Sequence, residues 1–267
     1  MRSSVVHRCV IAVVIPLLLV LAAGCSSSKS DEVVGSSGTT TKEYDYSGFT
    51  AVHVDNDFSA TVTRGEAFKV SVTVNENLAE YLKVAVEGDT LSIGLDQTVQ
   101  YRLANLRADI TLPSLSGMEV DGGSDAYVAD FVSQGPLDLK VSGAGQVSLG
   151  GVRYGAATFT VSGASLLDGT LQAKEVIADV SGAGKVSLNG TAPWGKLSAS
   201  GASKLLMNNF ALRKAEVKLS GASQASVRVN GTLAADLSGA SRLDYYGTAK
   251  LGTVSVNDAS QITHVQD

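Results

Sequence analysis

The chain has 267 residues and a formal charge of −5, with 44% apolar and 18% charged residues. That apolar content supports a buried core in one or two domains, and 28 glycines set at regular intervals beside four prolines do not read as disorder. A mildly acidic surface repels phosphate backbones, so nucleic acid is not an expected partner. The only cysteines are Cys9 and Cys25 and the only histidines His7, His53 and His264. Beyond residue 25 the sequence therefore excludes a disulfide, a thiol nucleophile and a thiolate or histidine-rich metal centre.

In chain order, Arg2, His7 and Arg8 form a short basic region, followed by an apolar run from Cys9 to Ala23. This is the layout of a secretory signal over residues 1–24, and the run falls short of the roughly 20 apolar residues a spanning helix needs. Leu21-Ala22-Ala23-Gly24-Cys25 resembles the lipobox of bacterial lipoproteins. That resemblance implies cleavage before Cys25, whose lipidation would make it the new N-terminus and the membrane contact. Removal of Arg2 and Arg8 takes the charge to −7. Several acyl chains, at about 0.8 kcal/mol per buried CH₂, anchor a protein stably. After Cys25 come Ser26-Ser27-Ser28, and small polar residues run on to Thr41, which predicts a flexible tether over residues 25–46 where Gly35 tolerates substitution.

A domain over 47–267 follows. Ala51–Val54, Phe58–Thr63, Phe68–Val74, Lys83–Val86, Thr90–Ile93 and Asp109–Leu112 read as strands, and Asn77–Leu82 as one helical turn. Val54-Asp55-Asn56-Asp57-Phe58 looks like an early, diverged corner of the repeat that follows.

That repeat dominates the rest. Ser-Gly-Ala-Gly or Ser-Gly-Ala-Ser begins at Ser142-Gly143, Ser162-Gly163, Ser181-Gly182, Ser200-Gly201, Ser220-Gly221 and Ser238-Gly239. Degenerate copies stand at Asp121-Gly122-Gly123-Ser124 and Asn257-Asp258-Ala259-Ser260, and all eight are spaced by 18 to 21 residues. Apolar residues precede each motif (Val120, Val141, Val161, Val180, Ala199, Leu219, Leu237, Val256) and recur five positions after its start (Ala126, Val147, Leu167, Val186, Leu205, Ala225, Leu243, Ile262). Period-2 alternation runs through the flanks, as in Leu137-Asp138-Leu139-Lys140-Val141. A helix-free unit of this length fits neither leucine-rich, ankyrin nor tetratricopeptide repeats, nor a propeller blade.

The fold class is all-β: a single-stranded parallel β-helix of ~20-residue coils, right-handed by the crossover rule, with a less regular N-terminal β region. Each glycine is expected in a backbone conformation other residues avoid, and each leading serine in a hydrogen-bonded ladder up the stack. Asp168-Gly169-Thr170, Asn189-Gly190-Thr191, Asn230-Gly231-Thr232 and Tyr246-Gly247-Thr248 mark a second, looser corner.

Phe49-Thr50-Ala51-Val52-His53-Val54, Leu91-Ser92-Ile93, Ile110-Thr111-Leu112-Pro113-Ser114-Leu115 and the serial corners together resemble the bacterial head GIN domain, over about residues 47 to 250. This resemblance implies an all-β, β-helix-like domain on the cell surface with an adhesive role, and brings no catalytic residues.

The site readings are spare. Asp55, Asp57 and Asp121 are the acids most able to meet at one corner around a cation, although structural turn roles suit them better. No Gly-x-Ser-x-Gly elbow accompanies the serines. Tyr101, Tyr127, Tyr154, Trp194, Tyr245 and Tyr246 are the candidates for stacking on sugars. No catalytic, metal or cofactor residue is expected. The leading function is an exported, lipid-anchored envelope binding or adhesion module without catalysis, facing the surface or periplasm. Its expected partners are the membrane, through Cys25, and a glycan or an envelope or matrix protein. A β-helix polysaccharide lyase or hydrolase is the runner-up, and a structural envelope protein acting by self-association the third reading. The last coil, with His264 in its core row, is expected to fray and the protein to be a monomer.

Overall fold

The computed structural model describes residues 32–266. The signal segment and Cys25 lie outside the described residues.

Among the described residues there are twenty strands, eighteen of which form one sheet wound as a parallel β-solenoid. The N-terminal ones are β1 (Glu32–Val34), β2 (Thr39–Tyr44), β3 (Ala51–Val54), β4 (Ser59–Arg64) and β5 (Lys69–Asn75). A single 3₁₀ turn at Glu76–Leu78 stands in place of the predicted helical turn. Next come β6 (Leu82–Glu87), β7 (Thr90–Leu95), β8 (Gln100–Arg102), β9 (Arg107–Leu112), β10 (Gly117–Val120), β11 (Asp125–Ala129) and β12 (Pro136–Val141). The regular coils are carried by long bent strands: β13 (Gln146–Val161), β14 (Leu166–Val180), β15 (Lys185–Ala199), β16 (Lys204–Leu219) and β17 (Gln224–Leu237). β18 (Arg242–Tyr246), β19 (Lys250–Val256) and β20 (Gln261–His264) finish the stack.

Two continuous ladders meet at the Ser-Gly-Ala corners. On the side before the corner the order is β6-β7-β3-β10-β12, then the second halves of β13 to β17, then β19. After the corner it is β2-β5-β9-β4-β11, then the first halves of β13 to β17, then β18 and β20. Asp55–Phe58 does link β3 to β4 as an early corner, and β10 and β11 stack directly on those strands. Between them the chain runs out through β5, antiparallel to β9, and β6, antiparallel to β7, and returns through β7 and β9 beneath the first coil. That excursion closes the N-terminal end. A solenoid end left bare offers unpaired backbone to any passing strand.

Alternation places the core. In one coil Val147, Leu149, Val152, Tyr154, Ala157, Phe159 and Val161 all point inward and are buried, as a period of two requires on a pleated surface. Each such aliphatic or aromatic side chain contributes about 1.5–3 kcal/mol on full burial. The apolar residues flanking the corners are buried from Val120 to Leu237 and from Ala126 to Leu243. In the last coil the pattern fails: Val256 is 41% exposed and Ile262 only half-buried.

Three expectations need correction. The tether is shorter than residues 25–46, because β1 pairs with β8 and β2 with β5. Thr39-Thr40-Thr41 is polar, yet threonine is β-branched and fits an edge strand; Thr41 Oγ1 meets Thr73 Oγ1 at 2.8 Å and Tyr44 packs on the core. Gly35 sits in this packed region, where an added Cβ would stand 2.8 Å from Asn75 Oδ1 and from the Leu103 carbonyl oxygen. The final coil is fully laddered, not frayed: β19 pairs with β17 and β20 with β18. The looser second corner is a bend inside β14, β15 and β17 rather than a break, and only Gly247 follows a strand end.

Candidate binding surface

The corners form the most regular feature. Gly143, Gly163, Gly182, Gly201, Gly221 and Gly239 have φ between +67 and +74, in the left-handed region. Each glycine carbonyl accepts the alanine N–H of the next coil, as Gly163 does from Ala183 at 2.8 Å and Gly182 from Ala202 at 2.7 Å.

The corner serine that is buried is the fourth of the motif, not the leading one, and at Ser165, Ser223 and Ser241 its shortest bond stays within its own corner. The leading Ser142, Ser162, Ser181, Ser200, Ser220 and Ser238 are half-exposed, while the fourth position is buried at Ser124, Ser165, Ser203, Ser223 and Ser241. A buried hydroxyl needs a partner. Ser165 Oγ donates to the Ser162 carbonyl at 2.7 Å, Ser223 Oγ to Ser220 at 2.9 Å and Ser241 Oγ to Ser238 at 2.7 Å. Ser124 Oγ has none. Glycine replaces this serine at Gly145 and Gly184, so the hydroxyl is a filler of the corner rather than a reactive group.

The acids do not gather around a cation. Asp121 bonds His53 Nε2 at 3.2 Å through one carboxylate oxygen and the Ser142 hydroxyl through the other. Asp55 accepts from the Asn56 N–H at 2.7 Å and from Gln97 Nε2 at 2.9 Å. Among the described residues no three His, Cys, Asp or Glu side chains are grouped to hold a metal. His53 and Ser142 share the Asp121 carboxylate rather than facing one another, so they are not arranged as base and nucleophile. His264 stacks on Tyr245 at 4.6 Å and bonds the Gly247 carbonyl at 3.0 Å, which ends the core row.

The aromatic candidates divide. Tyr154 is buried, its hydroxyl on the Leu115 carbonyl at 3.0 Å, and desolvation raises its pKa far above the ordinary phenol value. Tyr245 is buried too, and Tyr101 is half-buried with its hydroxyl on the Asp96 carbonyl. Tyr246 lies under the Arg228 guanidinium, 5.7 Å from the ring centroid. Tyr127 is 47% exposed, and Trp194 is half-buried.

Trp194 stands beside a feature the sequence reading missed. On the outward face before the corner, Lys196 lies opposite Glu216, Glu216 opposite Ala234, and Lys218 between Ser198 and Asp236. Ala234 is short where its neighbours are long. The result is a trough of about 490 Å³ walled by Lys196, Ser198, Glu216, Lys218, Asp236 and Ser255. Trp194, two residues before Lys196 on β15, projects from the same face. Lys214 Nζ holds Glu216 at 3.1 Å along one wall. Hydroxyls, an ammonium pair and carboxylates beside an indole can hydrogen-bond and stack on a polyhydroxylated chain. Only aligning the coils exposes the signal, a small residue in an outward row otherwise filled by Asp138, Thr158, Ile177, Lys196 and Glu216. A second hollow, between Arg64, Glu66, Pro113 and Asp130, lies among the irregular loops rather than along a ladder.

A laddered, helix-poor stack of parallel coils with polar outward faces defines a β-solenoid domain. The family model described as "Putative auto-transporter adhesin, head GIN domain" matches residues 48–249, and the chain belongs to this family. Among solved structures it is similar to one described as a putative lipid binding protein from Parabacteroides distasonis (19% identity, TM-score 0.83). It is equally similar to a putative adhesin from Parabacteroides merdae (19% identity, TM-score 0.83). Each similarity covers 88% of this chain and 100% of the other. A putative adhesin from Bacteroides fragilis follows, at 18% identity and TM-score 0.66 over 87% of this chain and all of the other. At these identities the similarity establishes the fold. No curated protein matches.

Proposed function

We propose that the protein is an exported, lipid-anchored envelope module that binds by adhesion and performs no chemistry. Membership in the adhesin-head family supports the class of function, and the observation that carries the site is the outward trough over Ala234, with Trp194 two residues before its wall residue Lys196. Its ligand is a polyhydroxylated chain, a glycan or the glycosylated surface of an envelope or matrix protein. The −7 charge of the mature chain disfavours nucleic acid. A glycoside hydrolase would need two free carboxylates set against one scissile bond. In this trough Glu216 is held by Lys214 and Asp236 stands opposite Lys218, an arrangement that neutralises acids rather than freeing them.

The module acts as a monomer, with Cys25 as its only membrane attachment by covalent lipid. A glycan and matrix-protein array probed with the soluble 32–267 fragment tests the binding. Retention of the wild type together with loss on Ala234→Arg, which fills the trough from an outward position, is expected. Equal retention of both would place binding elsewhere.

A further inference from the structure

We propose that the tip formed by Val34 and Leu103 sits in the lipid interface of the membrane that holds Cys25, an inference that rests on the anchoring proposed above. β1 and β8 form a two-stranded ribbon separate from the main sheet, with Val34 opposite Arg102. The next N–H, from Gly35, donates to the Arg102 carbonyl at 2.9 Å. Val34 and Leu103 therefore occupy the same end of the ribbon. They are 50% and 80% exposed, and Leu103 is the most exposed large apolar side chain among the described residues. Its φ is +51, a conformation that a leucine rarely adopts.

The support beneath the tip is firm. Tyr101 packs edge-on against Tyr81, with ring centroids 5.8 Å apart, and its hydroxyl donates to the Asp96 carbonyl at 2.6 Å. The Arg102 guanidinium lies 3.4 Å from the Glu32 carboxylate, a zwitterionic pair beside the apolar residues. A half-buried tyrosine below exposed aliphatic groups suits the boundary between headgroups and acyl chains.

The length of chain selects lipid over a protein partner. Six residues separate Cys25 from Glu32. The seven steps from Cys25 to Glu32, fully extended at ~3.3–3.6 Å each, span about 24 Å, less than the width of a 100-residue domain with its radius of gyration of about 13 Å. A folded partner does not fit between this ribbon and the bilayer. The ribbon itself reaches the headgroups.

The test uses the full lipidated chain in phosphatidylethanolamine–phosphatidylglycerol vesicles. Cys9 leaves with the signal and Cys25 is acylated, so one introduced cysteine is the only free thiol. Leu103→Cys, Val34→Cys and, on an outward solenoid position, Gln224→Cys are labelled with an environment-sensitive fluorophore. Quenching by lipid-borne nitroxide should be at least twofold stronger at 103 and 34 than at 224. Co-flotation with the vesicles but equal quenching at all three positions would overturn the tip contact alone. Failure to co-float would overturn the anchoring and the contact with it.

Discussion

The carbonyl oxygen of Gly163 lies 2.9 Å from the place a Cβ on Gly182 would occupy. The same oxygen accepts the Ala183 N–H at 2.8 Å, so the ladder that joins two coils is also what forbids a side chain at the corner. Gly182→Ala thus meets a left-handed φ and a backbone collision together. Gly151, with φ +86 and open space around it, meets only the first. Gly151→Ala should cost about 1–2 kcal/mol, and Gly182→Ala about 1–3 kcal/mol more. Denaturant unfolding compares the two, and equal losses would contradict the stacked-corner account.

Buried serines at the corners should not behave alike. Ser223→Ala removes a hydroxyl bonded to the Ser220 carbonyl and should cost about 1 kcal/mol. Ser124→Ala removes a buried hydroxyl that has no partner, so it should be neutral or stabilising. The two unfolding midpoints, measured side by side, decide this.

Alkaline pH should weaken the fold through Tyr154. Burial raises this phenol's pKa, so the folded protein holds a proton that the unfolded chain releases at about pH 10. Stability from this group is complete below pH 10 and declines as pH climbs above it. Tyr44 and Tyr101 shift in the same direction, mainly by desolvation. Tyr154→Phe should be less stable at pH 8, for want of the bond to Leu115, and lose less on going to pH 11. Parallel pH-stability curves for the two proteins would count against the burial argument.

The anchoring proposed above depends on one residue, Cys25. Cys25→Ser should move the protein from the membrane fraction to the soluble exported fraction and abolish incorporation of labelled fatty acid. Wild-type levels of Cys25→Ser in the membrane fraction would contradict lipid attachment.

The solenoid was legible because its physics is periodic. Glycine recurs at one left-handed position per coil from Gly122 to Gly239, and inward residues must be apolar, so Ser181-Gly182 and Val180 announce themselves every ~20 residues. The N-terminal cap obeys no repeat. Nothing in Lys69–Asn75 distinguishes a strand that pairs antiparallel with β9 from one that continues the helix. Thr39–Tyr44 was hidden for a related reason, since an edge strand with one covered face has a composition close to that of a tether. The trough escaped because it depends on what Ala234 lacks beside Lys196, Glu216 and Asp236, and a missing volume appears only once register is fixed. The buried corner serine stands three residues after the leading one, because sequence alone does not say which side of a tight turn faces the core.

Adherence of whole cells tests the central claim most directly. Cells expressing the full wild-type chain, Cys25→Ser or Ala234→Arg are placed on a surface coated with an array-positive glycan, and both retained cells and newly released reducing ends are counted. The account predicts that wild-type cells are retained, that both variants fall to background, and that no reducing ends appear. Retention that survives either substitution, or shortening of the coated glycan, would contradict it.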